Sequence, residues 1–471
     1  MFTQAFVIAA IAIGVVSCGN DEPPPDAAPP APKKPAPIRL NVFFESSGSM
    51  DGYVNGVTDL ESAMMSLIGG IGRSFQTAKA GSVNNADAMG YVLEGINLYT
   101  IASGNDGEAS ATQRISNASI GAIDTWFRSV EPKTLGAMDG RKSSELQSVL
   151  KLALDSVNDN NVSLLISDMI LSPKHVDRTG NDGSASLASQ MERILLREQS
   201  LIVNSFSEAL NRSSKQVALL GYRFESRYDG FYAPEARVAN PKAKNIKGAG
   251  RVVMNDRPYF VWIIGTVESI SQIAQRVHVD QLREHRLTHT CMMAEQSAKS
   301  RSINYQVVSP LGLKYPKAVA SSAGRYVVSA EEPHKVSVTG LANGRIVYAV
   351  DAELPMLKGY GSIEAKVSGS SNGHKDETIL CDRLREGIYR TYVSSLFPGG
   401  EVPSYGAKTN ITFSYAKPAW FAAYSVDDDN GTVTDPVKQK QTFGLRYLME
   451  GVWRAFYPQS PTIGTIQLEV N

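Results

Sequence analysis

Residues 38–50, IRLNVFFESSGSM, are the stretch on which the fold turns. The first eight, Ile38 to Glu45, form an apolar, β-branched and aromatic run with the length and character of a buried strand. The chain then passes through Glu45-Ser46-Ser47-Gly48-Ser49-Met50 into a segment with apolar residues at helical spacing: Leu60, Ala63, Met64, Leu67, Ile68 and Ile71. A strand that feeds a helix through a hydroxyl-rich loop places those hydroxyls at the carboxyl edge of a sheet, where open α/β sheets bind their ligands.

The same alternation continues to residue 280. Residues 91–101 supply a further strand or a pair, and residues 120–130 read as a helix. Residues 143–157 place Leu146, Val149, Leu150, Ala153, Leu154 and Val157 on one helical face, with Ser143 or Ser144 as the cap. Residues 161–170 are another buried strand, running into Ser167-Asp168. A long helix follows at 185–210. Strands at 216–224 and 258–265 flank a loop-rich insertion at 225–256, and a helix occupies 269–276. Strands alternating with helices predict an α/β domain over 39–280 with a doubly wound, mostly parallel sheet.

Glu45-x-Ser47-Gly48-Ser49-Met50 resembles the first motif, Asp-x-Ser-x-Ser, of the metal-ion-dependent adhesion site in von Willebrand factor type A (vWA) domains. Gly140-Arg-Lys-Ser143-Ser144-Glu-Leu146 is similar to that family's Gly-x-Thr-x-Leu, with Ser144 in the Thr position. The apolar run into Ser167-Asp168 resembles its third motif. The resemblance implies a vWA/Rossmann-like fold in which Glu45, Ser47, Ser49, Ser144 and Asp168 hold a divalent cation: Mg2+, or else Mn2+ or Ca2+. It also implies a protein partner that completes the coordination with an acidic side chain. Hydroxyl and carboxylate oxygens suit a hard cation that retains several waters. Glu45 stands where the family has Asp, and the same residues also allow a loop that caps its helix and binds no metal.

The N-terminus speaks to location. Residues 6–16, FVIAAIAIGVV, are too few for a mature helix crossing a bilayer of about 30 Å, which takes about 20, but they suit the apolar part of a signal peptide. Val15-Val16-Ser17-Cys18 resembles a bacterial lipobox, which implies removal of residues 1–17 and acylation, as with palmitate, of Cys18. Residues 19–38 are rich in Pro and Ala, lack apolar periodicity, and read with Cys18 as a lipidated stalk over 18–38. At about 3.1 Å per residue such a stalk reaches up to roughly 60 Å. The expected location is the cell envelope, lipid-anchored to the outer membrane, with the head periplasmic or surface-facing.

Lys plus Arg number 47 and Asp plus Glu 47, so the chain lacks the cationic surplus that a nucleic-acid binder uses, and no such partner is expected. Three cysteines exclude a disulfide-rich scaffold; with Cys18 lipidated, Cys291 and Cys381 remain as candidates for one disulfide. After a connecting segment at 281–304 the pattern changes to short β runs, which predict a β-sandwich-like domain over 305–471. Within it, residues 420–426 read as a strand and Asn430-Gly431 as a hairpin turn, while residues 443–456 form one amphipathic helix packed on the sheet.

Catalytic motifs are weak. His278, His285 and His289 share one face if their segment is helical throughout, but Glu-His-x-x-x-His lacks the base of a zinc protease, so they read as a solvated stripe. Gly369-Ser370-Ser371-Asn372-Gly373 fits a nucleophile elbow, yet it joins two alternating segments and reads as a turn. Asp427-Asp428-Asp429-Asn430-Gly431 lacks the first and twelfth ligands of a calcium loop. The expectation is a binding, adhesion or scaffolding protein and not an enzyme. The alternatives are a metal-independent structural component of an envelope assembly and, less well supported, a zinc or serine hydrolase.

Overall fold

The computed structural model describes residues 35–76, 91–103, 109–136, 141, 145–171, 187–232, 250–295, 303–317, 324–355, 359–369, 374–385, 387–404 and 406–471. Cys18, the signal sequence, most of the stalk, Ser143 and Ser144 lie outside the described residues. Seven strands make the main sheet: β1 (Ala36–Glu45), β2 (Tyr91–Ser103), β3 (Ala109–Ala118), β4 (Asn161–Ser167), β5 (Val217–Tyr232), β6 (Gly250–Thr266) and β7 (Leu287–Ala294). Their order is β3-β2-β1-β4-β6-β5-β7. β1 is parallel to both β2 and β4, so the carboxyl ends of β1 and β4 emerge side by side.

The other four pairings are antiparallel. The sheet is therefore mixed, which corrects the expectation of a mostly parallel one. The reason lies in the segment expected as a loop-rich insertion. β5 runs on to Tyr232 and β6 starts at Gly250, and the two pair directly as a long antiparallel ribbon, Tyr228 opposite Met254 and Tyr232 opposite Gly250. Direct return of a strand needs no crossover helix. The segment expected as a connector also contributes, since Leu287–Ala294 pairs with β5 as the edge strand.

Helices cover both faces. α1 (Asp59–Gln76), α2 (Ile120–Ser129), α5 (Val267–Arg276) and α6 (Val279–Glu284) lie on one, α3 (Leu146–Asp155) and α4 (Leu187–Arg212) on the other. Successive side chains of a strand point to opposite faces. Accordingly Val42 and Phe44 join the core with Leu60, Met64, Leu67 and Ile71 of α1, while Phe43 joins that of Val149 and Leu150 of α3. Burial on both sides is why Val42, Phe43 and Phe44 are apolar in succession.

The C-terminal third is β-rich, as expected. Its strands are β8 (Tyr305–Val307), β9 (Arg325–Val327), β10 (Lys335–Gly340), β11 (Arg345–Glu353), β12 (Ile363–Gly369), β13 (Lys375–Arg385), β14 (Ile388–Leu396), β15 (Ala407–Tyr415), β16 (Ser425–Val426), β17 (Thr442–Phe443) and β18 (Thr462–Val470). They form sheets β12-β15-β18-β10-β9 and β13-β14-β11-β8, with β16 and β17 as a separate pair. Two short helices, α7 (Trp420–Ala423) and α8 (Pro436–Gln439), precede α9 (Leu445–Phe456). Residues 420–423 are thus helical where a strand was expected. Trp420 and Phe421 are both buried, and a helical turn can bury two successive residues on one side where a strand would separate them.

α9 packs chiefly against α4. Gly451 lies so close to it that an added Cβ would stand 3.0 Å from the Gln199 carbonyl oxygen, and the rings of Phe456 and Phe206 meet at 6.2 Å. A helix from the β-rich third thereby completes the α3–α4 layer, and one core runs from Leu165 and Trp262 to Val393 and Leu468. Cys291 and Cys381 are free thiols, so the pairing left open by the sequence is not made. Cys291 is buried on β7 and Cys381 lies on β13 of another sheet. No helix among the described residues is long and apolar enough to cross a membrane.

Candidate functional site

Phe44 of β1 stands opposite Ile166 of β4, so Glu45 and Ser167-Asp168 leave the sheet together at its carboxyl edge. Glu45 is 1% exposed and Asp168 3%. The Ser167 hydroxyl donates to Glu45 Oε2. Ser47 Oγ and Ser49 Oγ are 3.0 Å apart, and Ser49 is near enough to Asp168 to favour its ionised form. Four of the five expected ligands thus converge, and Ser144 is the one outside the described residues. Ser47 occupies the cap position of the 3-10 helix Gly48–Tyr53 but makes no side-chain capping bond. Its hydroxyl therefore serves the cluster and not the helix end.

The β4 loop turns sharply. Met169 has φ 55°, a left-handed conformation that costs a non-glycine residue about 1–2 kcal/mol. The loop is held by Met169 N–H donating to Ser167 Oγ at 2.8 Å and Ile170 N–H to Asp168 Oδ1 at 3.3 Å. Strain of this kind gathers where a loop must present a side chain in one position.

Two arginines that the sequence reading passed over frame the cluster. Buried Arg141 donates to the Ser46 carbonyl at 2.9 Å and grips Asp51 through two bonds of 2.7 and 3.1 Å, which pins the serine loop to the 3-10 helix. Arg257, 2% exposed, comes from β6. Phe260 of that strand pairs with Ser167, so Arg257, three residues earlier on an antiparallel neighbour, reaches past the end of β4 to the side of Asp168. It donates to the Gln441 carbonyl at 2.9 Å and lies over the Tyr232 ring at 4.9 Å. The only sequence signals were a basic residue inside the Gly140–Leu146 motif and a charge immediately before an apolar strand.

Burial raises the Asp168 carboxyl above its ordinary range, and Ser49 and the Arg257 charge work against that rise. Burial also raises Tyr53, Tyr228 and Tyr232, so all three surround the site as neutral phenols. For Arg257 burial acts against the charge, and the nearby Asp168 carboxylate acts for it.

The other constellations do not assemble into sites. α6 spans only Val279–Glu284, leaving His278 and His285 at its ends and His289 on β7, so the three imidazoles do not form the expected stripe. His289 packs on Tyr424 and Trp420, and burial with the nearby Arg223 lowers its pKa. Gly369 ends β12 and Lys375 starts β13, with 370–373 outside the described residues, so a strand follows where an elbow needs a helix. Asn430-Gly431 does not close a hairpin: β16 and β17, which flank the segment, are parallel. No group of three or more His, Cys, Asp or Glu side chains placed to hold a metal occurs among the described residues. No family model matches the chain, and no curated protein sequence matches it significantly.

Proposed function

We propose that the protein is a lipid-anchored cell-envelope component that binds a protein partner through a vWA-like α/β domain, with a divalent cation at the carboxyl edge of the sheet. The observation that carries this reading is the hydrogen bond from Ser167 to the buried Glu45 carboxylate, which joins the end of β1 to the end of β4. The donor set fits a hard cation: Glu45, Ser47, Ser49 and Asp168, with Ser144 of the Gly140–Leu146 motif, offer only hydroxyl and carboxylate oxygens. The cation, Mg2+ or else Mn2+ or Ca2+, would neutralise two buried carboxylates and present a Lewis-acidic contact to an acidic side chain of the partner. The signal sequence, Cys18 and the stalk support outer-membrane anchoring. In cells, Cys18→Ser abolishes palmitate labelling and membrane fractionation if this is right. The role is one of binding, with no catalytic residue assigned.

The decisive experiment is a thermal shift and calorimetric titration of the full head with MgCl2 and MnCl2, before and after Asp168→Ala. Saturable binding lost in the variant supports the reading, and no heat or shift with either metal sinks it. A second reading is a metal-independent structural component. It draws on Arg257, whose fixed positive charge already acts on Asp168. Under it, partner capture and melting temperature are the same in chelator and in magnesium.

A further inference from the structure

Between β16 and β17 the chain leaves and returns as a strap, residues 427–441, anchored on β5 and β6. Its anchors are polar. Tyr232 donates to Asp429 at 2.8 Å, Arg223 to the Lys440 carbonyl at 2.6 Å and Arg257 to the Gln441 carbonyl at 2.9 Å, while Lys440 pairs with Asp256 at 3.0 Å. Just beyond the strap, Leu171 N–H, from the loop after β4, donates to the Phe443 carbonyl at 3.3 Å.

Within 427–441 the only buried residues are Asp429 and Thr432, and Val437 is 68% exposed. The flanks differ: Trp420, Phe421, Phe443 and Leu445 are all buried. Segments that bury little apolar surface open locally at a small fraction of the global free energy. The strap also has its own internal bracing. Lys438 Nζ donates to the carbonyls of Asp428 and Asn430, and Asp435 accepts from the Val437 and Lys438 amides at the start of α8. These bonds tie the strap to itself, while its flanks are fixed by their burial.

We propose that residues 427–441 are a displaceable strap that gates the carboxyl-edge site, with Arg257 as the link between the two. One guanidinium both holds the strap at Gln441 and, past the end of β4 by the register of β6, acts electrostatically on Asp168. A divalent cation settling on Asp168 places like charge next to Arg257 and weakens that anchor. By linkage, lifting the strap strengthens cation binding by the same factor. This inference rests on the cation reading above, and the experiment separates the two.

Hydrogen exchange on the full chain, read by mass spectrometry, tests the strap without any metal. Amides of 428–441 are expected to exchange through an opening that leaves β5, β6 and α9 protected. Lys440→Ala, which removes a half-exposed ion pair, speeds that exchange about two- to five-fold. Tyr232→Phe, which removes one hydrogen bond to the buried Asp429 carboxylate, speeds it about ten-fold. A strap that exchanges only with the global core overturns the gate. Terbium luminescence, sensitised by Tyr53 and Tyr228 in every variant, then reads access: uptake is expected to be faster in both variants. Equal uptake rates with terbium bound overturn the gate and leave the cation reading standing. Failure of all three proteins to bind terbium overturns the cation reading and the antagonism with it, and exchange alone then decides whether the strap opens.

Discussion

Asp168 combines near-complete burial with a carboxyl whose pKa is raised, chiefly by that burial. A raised acid keeps its proton in the folded state at pH values where the unfolded chain has lost it. Between the ordinary value of 3.8 and the raised one, the folded state binds more protons, so stability falls as pH rises and the full penalty remains above that window. Asp168→Asn keeps the shape and removes the charge. In chelator it is expected to raise the urea midpoint at pH 7, leave it unchanged near pH 3, and flatten the slope between; an unchanged slope contradicts this account. Arg257 should behave in the opposite sense. Arg257→Met leaves Asp168 without its neighbouring charge and the strap carbonyl without its donor, and breaking a buried charged contact from one side costs about 3–5 kcal/mol. Urea unfolding measures it, and a loss under about 1 kcal/mol would show that the guanidinium is not integral to the site. The site residues differed in how readable they were. Glu45, Ser47, Ser49 and Asp168 lie in loops that follow apolar strands, where the pattern points. Arg141 acts through the Ser46 carbonyl and the Asp51 carboxylate and Arg257 through the Gln441 carbonyl, distant partners that no local pattern marks.

At the scale of elements, those with a periodic apolar face and burial were legible: β1, α1, α3, α4 and β4 all appear where their spacing put them. β3 was not, because most of its residues are exposed and polar and only its pairing with β2 makes it a strand. β7 begins Leu-Thr-His-Thr, a polar start that hides an edge strand, and the ribbon of β5 and β6 is interrupted by Gly, Asp and Arg. The start of α9 shows how tightly one element is placed against another. Gly444 has φ 72°, and a Cβ there would stand 2.9 Å from Leu171. Gly431 has φ 83° and open space around it. Gly431→Ala is expected to cost about 1 kcal/mol from conformation alone. Gly444→Ala adds the overlap with the β4 loop and should cost about 1–3 kcal/mol more. Paired denaturation curves isolate that difference, and equal losses would mean that the contact is slack.

At the scale of the molecule, one core joins the α/β sheet to the β-rich third, and α9 is the join. Residues 35–295 alone would expose Leu195, Ile202 and Phe206, which α9 now helps to bury. That fragment is expected to bind a hydrophobic dye and lose its near-ultraviolet dichroism, while the whole head unfolds in a single calorimetric transition. A stable, dye-free fragment would show two independent domains instead. The order of the first strands and helices and the serine loop follow from local pattern, because burial on both faces of a strand or along one face of a helix is written in residue spacing. The sense of the antiparallel pairings, the seat of α9 on α4, the two arginines and the anchoring of residues 427–441 on β5 and β6 were decided only in the folded molecule. They depend on hydrogen bonds and close packing between residues far apart in sequence, and spacing along the chain carries no record of such partners.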